Sequence, residues 1–256
     1  MKNNNIKLET KQNIRDLSYL NNIIKNPIKE NMLIRSNSIS DFTVNDINIL
    51  KNEKYLKTVI DIRDKQEVLK KPYKINNIKY YNIPLFGKQK HKQNKDSGKQ
   101  KVSKIPNIFE TYMEMVDSKI AKKQIKKILK IVMKQKNCCV LYHCTYGKDR
   151  TGIITLLILT MLDVDINIIK KDYLYSNIYL ESIAEEKYKL YLEKTRDEDY
   201  AKQMKDIFLV KEEYIDHVIN YINEKQGTII NYIEKEIGIS KREIEKFKKN
   251  FLITDK

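Results

Sequence analysis

His143-Cys144-Thr145-Tyr146-Gly147-Lys148-Asp149-Arg150-Thr151-Gly152 stands between two apolar runs, Cys138 to Tyr142 before it and Ile153 to Leu162 after it. The first run is short and rich in strand-forming residues, so it reads as a buried strand. The second is long enough for a helix. The ten residues between them therefore form a loop at a strand end, with backbone N–H groups converging on a helix N-terminus, where anions bind. Accident is a poor explanation. With three cysteines and six arginines in 256 residues, a Cys followed six positions later by Arg arises with a chance of roughly 7%. Requiring Ser or Thr next and His before the Cys lowers this to the order of one in ten thousand.

The residue types fit one chemistry. A free thiol with a pKa of ~8.5 is only a few per cent thiolate at neutral pH. Lowering it to about 5 takes roughly 5 kcal/mol of differential stabilisation, of which a helix terminus supplies at most ~2 kcal/mol. Loop N–H groups, the Thr151 hydroxyl and the Arg150 guanidinium must supply the rest. Cys144 is then a nucleophile able to attack phosphorus and form a phosphocysteine. Arg150 can grip two oxygens of the transferring phosphoryl group as charge redistributes. No metal or other cofactor is called for. Thr145, Tyr146, Gly147, Lys148 and Thr151, with Arg63 on another strand end, are the candidates for holding substrate. Lys148 would add a second positive charge to the phosphate pocket. His143 reads as a supporting residue that orients the loop, or more plainly as a buried structural histidine.

A general acid must protonate the leaving oxygen. Asp149, inside the loop, is the first candidate; positioning Arg150 or a substrate group is its alternative role. Asp61, in Thr58-Val59-Ile60-Asp61-Ile62-Arg63-Asp64, ends a second apolar strand and reads first as a salt bridge or cap for the loop. Strands are expected at Leu33–Ser36, Thr58–Ile62, Lys79–Ile83 and Cys139–His143. Helical patterns over Thr43–Lys54 and Ile108–Lys136 separate most of them. The expected fold is α/β, a mostly parallel central sheet flanked by helices, in a single domain over residues 1–256.

Read together, these segments resemble the bacterial atypical tyrosine and lipid phosphatases of the mycobacterial protein tyrosine phosphatase B type, within the Cys-x5-Arg superfamily. Residues 143–152 match that family's His-Cys-x-x-Gly-Lys-Asp-Arg-Thr-Gly throughout. Asn13-Ile14-Arg15-Asp16-Leu17, Ile34-Arg35-Ser36 and Val59-Ile60-Asp61-Ile62-Arg63 with Glu67 resemble further family elements, as do Ile83-Pro84-Leu85 and Asp172-Tyr173-Leu174. Such enzymes hydrolyse phosphotyrosine, in some cases phosphoserine or phosphothreonine, and often phosphoinositides. The resemblance links the Lys148-Asp149 pair to the lipid activity. It also implies a helical lid from 181 to 209; a surface helix pair without a gating role is the alternative. Tyr146 stands where the family has a small residue, which places an aromatic ring at the mouth of the pocket. With no Trp in the chain, a Trp-Pro-Asp acid loop of the animal tyrosine-phosphatase kind is excluded.

Residues 86–104 hold seven lysines and two bulky apolar groups and read as a mobile loop. Three cysteines, an odd number, argue against a disulfide framework. No apolar run approaches the ~18 residues of a membrane span, and Met1 to Asn5 lack an apolar signal core; a cytoplasmic location is expected, with secretion left open. The net charge of +16 comes almost wholly from dispersed lysine without a nucleic-acid motif. A nucleic-acid partner is therefore not expected, whereas anionic substrates and an anionic membrane face are. The leading reading is a cysteine-dependent phosphomonoester phosphatase for phosphorylated proteins, phosphoinositides or both. A dedicated phosphoinositide or inositol phosphate phosphatase, a sulfurtransferase and an inactive phosphate-binding module are the alternatives.

Overall fold

The computed structural model describes residues 6–86 and 107–253, so the expected loop at 86–104 lies, but for Phe86, outside the described residues. Five strands form one sheet: β1 (Arg15–Asp16), β2 (Leu33–Ser36), β3 (Leu56–Asp61), β4 (Lys79–Asn82) and β5 (Cys139–His143), in the spatial order β1-β2-β5-β3-β4. β2, β5, β3 and β4 run parallel, and the two-residue β1 adds an antiparallel edge. The α/β reading of the sequence holds, and β5, which leads into Cys144, is the central strand.

Side chains on a strand alternate between faces, and β5 feeds two cores. Cys139 and Leu141 join Ile34, Leu56 and Val59 in the smaller cluster, on the face covered by α1 (Val44–Asn52). Val140 and Tyr142 join Leu33 and Ile60 in the larger one. There the sheet is covered by α5 (Asp149–Met161), which is buried from Thr151 through Leu159. A helix apolar all round belongs in a protein interior. It packs against α3 (Ile108–Asp117), α4 (Lys119–Met133), α6 (Ile166–Tyr175), α10 (Ile229–Tyr232) and α11 (Lys241–Phe251). The two remaining long helices before the tail are α7 (Asn177–Thr195) and α8 (Glu198–Phe208), which lie against each other; α9 (Glu212–Gln226) follows. Among the described residues no helix is long and apolar enough to cross a membrane.

The helical pattern expected from Ile108 to Lys136 is divided. Ser118 sits in extended backbone (φ −66°, ψ 139°), ending α3 and capping α4 through Ala121 N–H. A short helix not read from the sequence, α2 (Lys65–Lys70), begins at Asp64, whose side chain accepts from the N–H groups of Gln66 and Glu67 while the Glu67 carboxylate accepts from Asp64 N–H. The C-terminal tail is punctuated by local caps. Gly238 takes a left-handed conformation (φ +72°), Ile239 N–H reaches back to the Ile233 carbonyl, and Ser240 and Glu243 form a reciprocal capping box.

Candidate active site

The loop after β5 is shaped by where its carbonyls go. Cys144 C=O accepts from His143 Nδ1 (2.9 Å), Thr145 C=O from Ser38 N–H (3.0 Å), Tyr146 C=O from Asn13 Nδ2 (2.9 Å) and Gly147 C=O from Arg35 Nη2 (2.8 Å). Four consecutive carbonyls are thus tied to the surrounding scaffold, and none is left to face an anion. Gly147 (φ +70°) is needed for this: a Cβ there would lie 2.6 Å from Ser36 and Asn37 backbone atoms. The loop leads directly into α5, whose first residue follows Lys148 without any side-chain cap. The orphan N–H groups of that first turn remain available to an anion.

Cys144 lies at the base of the loop, 2% exposed. Arg150, in the first turn of α5, is held by a residue the sequence reading did not single out as a site residue. Glu67 on α2 accepts Arg150 Nη1 at 2.5 Å and Nη2 at 2.8 Å, and also the Thr145 hydroxyl. Burial works against both charges. The pair nevertheless drives the Glu67 carboxyl down to about 2, and both Glu67 and the nearby Cys144 favour the charge on Arg150. Glu67 occupies the outer fork of the guanidinium, formed by Nη1 and Nη2; the side of the guanidinium that carries Nε–H makes no hydrogen bond to it. The capping-box spacing Asp64-x-x-Glu67 was a signal for α2, but nothing in sequence pairs Glu67 with Arg150.

His143 is fully buried, and burial lowers its pKa. A carbonyl can only accept, so Nδ1 carries the hydrogen and Nε2 accepts from the Tyr73 hydroxyl at 2.6 Å. Neutral and doubly bound, His143 supports the loop. Asp61 accepts Arg63 Nε at 3.0 Å and Nη2 at 2.8 Å, with the Tyr80 hydroxyl at 2.9 Å. Those bonds, with Arg63 Nη1 on the Lys71 carbonyl at 3.0 Å, engage the guanidinium that the sequence offered for substrate, although Arg63 still borders the cavity beside the loop. The Thr151 side chain is buried and its hydroxyl has no hydrogen-bond partner among the described residues.

Lys148 differs from the expectation that it faces the phosphate pocket. Its Nζ donates to the Ile207 carbonyl (2.8 Å) and the Leu209 carbonyl (3.3 Å) at the end of α8, and contacts both oxygens of Asp149 at 3.2 and 3.1 Å. The negative end of a helix dipole and its unpaired carbonyls attract such a cation. Asp149 also accepts from the buried Tyr112 hydroxyl on α3. Behind the loop, Asp172 on α6 receives Arg15 Nε (2.7 Å), Arg35 Nη1 (2.5 Å) and the Tyr19 hydroxyl (2.8 Å), all buried. Two cations share one carboxylate, so the cluster keeps a net positive charge against the loop. Despite its burial, Asp172 falls to about 2.

Beside the loop opens a cavity of about 340 Å³ bounded by Thr145 and Tyr146, by Lys11, Lys70 and Lys71, and by Tyr179, Leu180 and Ile183 of α7. The Tyr146 ring meets Phe208 of α8 edge-on at 5.4 Å. α7 therefore walls one side of this cavity, and the end of α8 contacts the loop through the Tyr146 ring and the Lys148 ammonium.

A mostly parallel α/β sheet whose central strand leads into a Cys-x5-Arg loop with four consecutive carbonyls tied to the scaffold defines a phosphate-binding class of protein. The sequence model describing the tyrosine phosphatase family matches residues 6–253, and the chain belongs to that family. It is similar to a tyrosine-protein phosphatase of Nostoc commune, 32% identical over 129 residues. That match covers 49% of this chain and 42% of the relative, so less than half of the relative's length is spanned. Among solved structures, the core catalytic domain of the PP-IP phosphatase SIW14 from S. cerevisiae, in complex with citrate, is similar at 17% identity with a TM-score of 0.37, over 77% of this chain and 92% of that one.

Proposed function

We propose that the chain is a cysteine-dependent phosphomonoester phosphatase acting on phosphotyrosine proteins and on phosphoinositides. The observation that carries this reading is the loop with four outward-tied carbonyls, a buried cysteine at its base and an arginine already fixed by a carboxylate. The phosphate dianion enters against the α5 N-terminus, and Arg150 offers its Nε edge while Glu67 keeps the fork. The Thr151 hydroxyl, without a partner, turns to the thiolate or to an oxyanion. Cys144 attacks phosphorus, the S–P bond forms, and the bond to the leaving oxygen breaks with its electron pair. Asp149 gives that oxygen a proton and becomes a carboxylate. In the second step Asp149 takes a proton from water as the water oxygen attacks phosphorus, releasing phosphate and the thiolate.

We assign α7 and α8 a gating role; supporting it, α7 lines the cavity beside the loop and the end of α8 meets Tyr146 and Lys148. The lysines around the cavity favour substrates with further negative charge beyond the reacting phosphate. Phosphate release from a phosphotyrosine peptide, a phosphoserine peptide and a phosphoinositide panel tests the reading, with Cys144→Ser as control. Release that falls below about 1% of wild type in the variant, with phosphate binding by calorimetry retained, is expected. Higher residual turnover refutes the nucleophile, and binding without hydrolysis in the wild type replaces the enzyme with a phosphate-binding module.

A further inference from the structure

Asp149 is contacted by Lys148 from the loop and by Tyr112 from α3, and Tyr112 is contacted in turn by Tyr173 from α6. Both tyrosines are buried, Tyr112 completely. The Tyr112 hydroxyl donates to Asp149 Oδ1, and its oxygen lies 2.5 Å from the Tyr173 hydroxyl. Each phenol has one hydrogen. Since Tyr112 spends its own on the carboxylate, Tyr173 must donate to Tyr112, and the chain runs in one direction, Tyr173 to Tyr112 to Asp149 Oδ1. Successive donors of this kind strengthen one another. Tyr173 in turn is seated by the loop motif itself. A Cβ at Gly152 would stand 2.9 Å from Tyr173 Cδ2 and 3.1 Å from Cε2, so any larger residue there displaces the ring.

We infer that Tyr112, backed by Tyr173, is a positioning residue for Asp149 that reserves Oδ1 as an acceptor and leaves Oδ2 as the oxygen that carries and delivers the proton. With Oδ1 already receiving an O–H, a proton taken up by Asp149 goes to Oδ2, which among the described residues meets the Lys148 ammonium at 3.1 Å and no O–H donor. Oδ2–H transfers to the leaving oxygen as the P–O bond breaks, and the carboxylate that remains is still held through Oδ1. Neither tyrosine touches substrate. Fixing one oxygen removes the carboxyl rotation that would otherwise misdirect the proton. The inference rests on the proposed role of Asp149 as general acid.

Two substrates separate the possibilities. 4-Nitrophenyl phosphate has a leaving group that departs with little protonation, whereas phenyl phosphate needs the acid. For Tyr112→Phe, kcat/KM on phenyl phosphate is expected to fall about tenfold and on 4-nitrophenyl phosphate less than about twofold, with inhibition by inorganic phosphate unchanged. Asp149→Asn should give the same selective pattern with a larger loss, and adding Tyr112→Phe to it no further loss. Tyr173→Phe, which leaves Tyr112 on the carboxylate, should give a smaller loss of the same kind and keeps the test alive if Tyr112→Phe folds poorly. Equal losses on both substrates, or none, in both tyrosine variants while Asp149→Asn remains selective would overturn the positioning role. A non-selective Asp149→Asn removes the general acid itself, and the inference with it.

Discussion

The phosphate loop and the α7–α8 pair lie against each other but are held in different ways. The loop is fixed by buried groups from far along the chain. Arg15, Arg35 and Asp172 bond across more than 130 residues, Asn13 reaches Tyr146, and Gly147 leaves no space for even a Cβ. In α7 and α8 only Leu180, Ala184, Tyr200 and Ala201 are buried; the ion pair Lys202–Glu198 is exposed and Lys205–Glu185 half-exposed. Buried networks specify one geometry, because a lost partner leaves a charge stranded in low dielectric. Exposed pairs on a lightly packed helix contribute about 0–1 kcal/mol each. The lesson is a difference in how firmly the two are held: a loop specified by buried partners beside a helix pair with few buried side chains of its own.

The sharpest way to break this contrast is Asp172→Ala. It leaves two fully buried guanidiniums without their shared carboxylate and takes a partner from Tyr19. Removing one member of a buried ion cluster costs about 3–5 kcal/mol, and denaturant unfolding should show a loss of that size together with collapse of turnover. A loss below about 1 kcal/mol would mean that the loop does not depend on this network.

The loop was more legible than its supports. Residues 143–152 carry anion loop and helix start in one stretch, and short strand-forming runs at Leu33–Ser36, Thr58–Ile62 and Cys139–His143, separated by helical patterns, are enough to point to a parallel sheet. β1 has two residues, too few for a period, and owes its existence to pairing with β2. Ser118 breaks a helix that looks continuous in hydropathy, because a capping serine outweighs the apolar period on either side. Glu67 and Tyr112 act on the loop from 83 and 37 residues away. Only the sheet order, which seats β3 next to β5, brings Glu67 to Arg150. Lys148 could be read as a phosphate ligand from its neighbours in sequence. Its attachment to the end of α8 depends on where that helix stops.

A middle-sized effect belongs to the contact between α2 and the loop. Glu67 is depressed from 4.5 to about 2 by Arg150 and Thr145, against its burial. A carboxyl depressed on folding stabilises the protein above its unfolded pKa, and that stabilisation fades as pH falls toward the folded value. The window is therefore pH ~4.5 down to ~2, and the ceiling for this shift is about 3 kcal/mol. Glu67→Gln should unfold more easily than wild type at pH 6, and the difference should shrink as the buffer is taken to pH 3 and below. A difference that stays constant across that range would show that the Glu67 charge does not matter to the fold.

The smallest effect tests the other side of the contrast. Lys148 is the one loop side chain whose ammonium reaches the end of α8, with two carbonyls and Asp149 as its partners. A charge-assisted hydrogen bond of this kind is worth about 1.5–3 kcal/mol gross; Lys148 is buried, but Ile207 and Leu209 are only half-buried, so water can take its place. Lys148→Ala should therefore lower global stability by no more than about 1 kcal/mol while speeding amide hydrogen exchange along α8 by about fivefold, with exchange on β5 and α5 unchanged. Substrate preference adds a second readout. If the ammonium leaves the carbonyls for an anionic headgroup when substrate enters, phosphoinositide hydrolysis falls more than phosphotyrosine hydrolysis. Faster exchange with equal losses on the two substrates would instead make Lys148 a fastening between loop and helix pair and nothing more. Unchanged exchange on α8 would show that the pair is held by the Tyr146–Phe208 contact and its own packing, and the wall would then be as firm as the loop it covers.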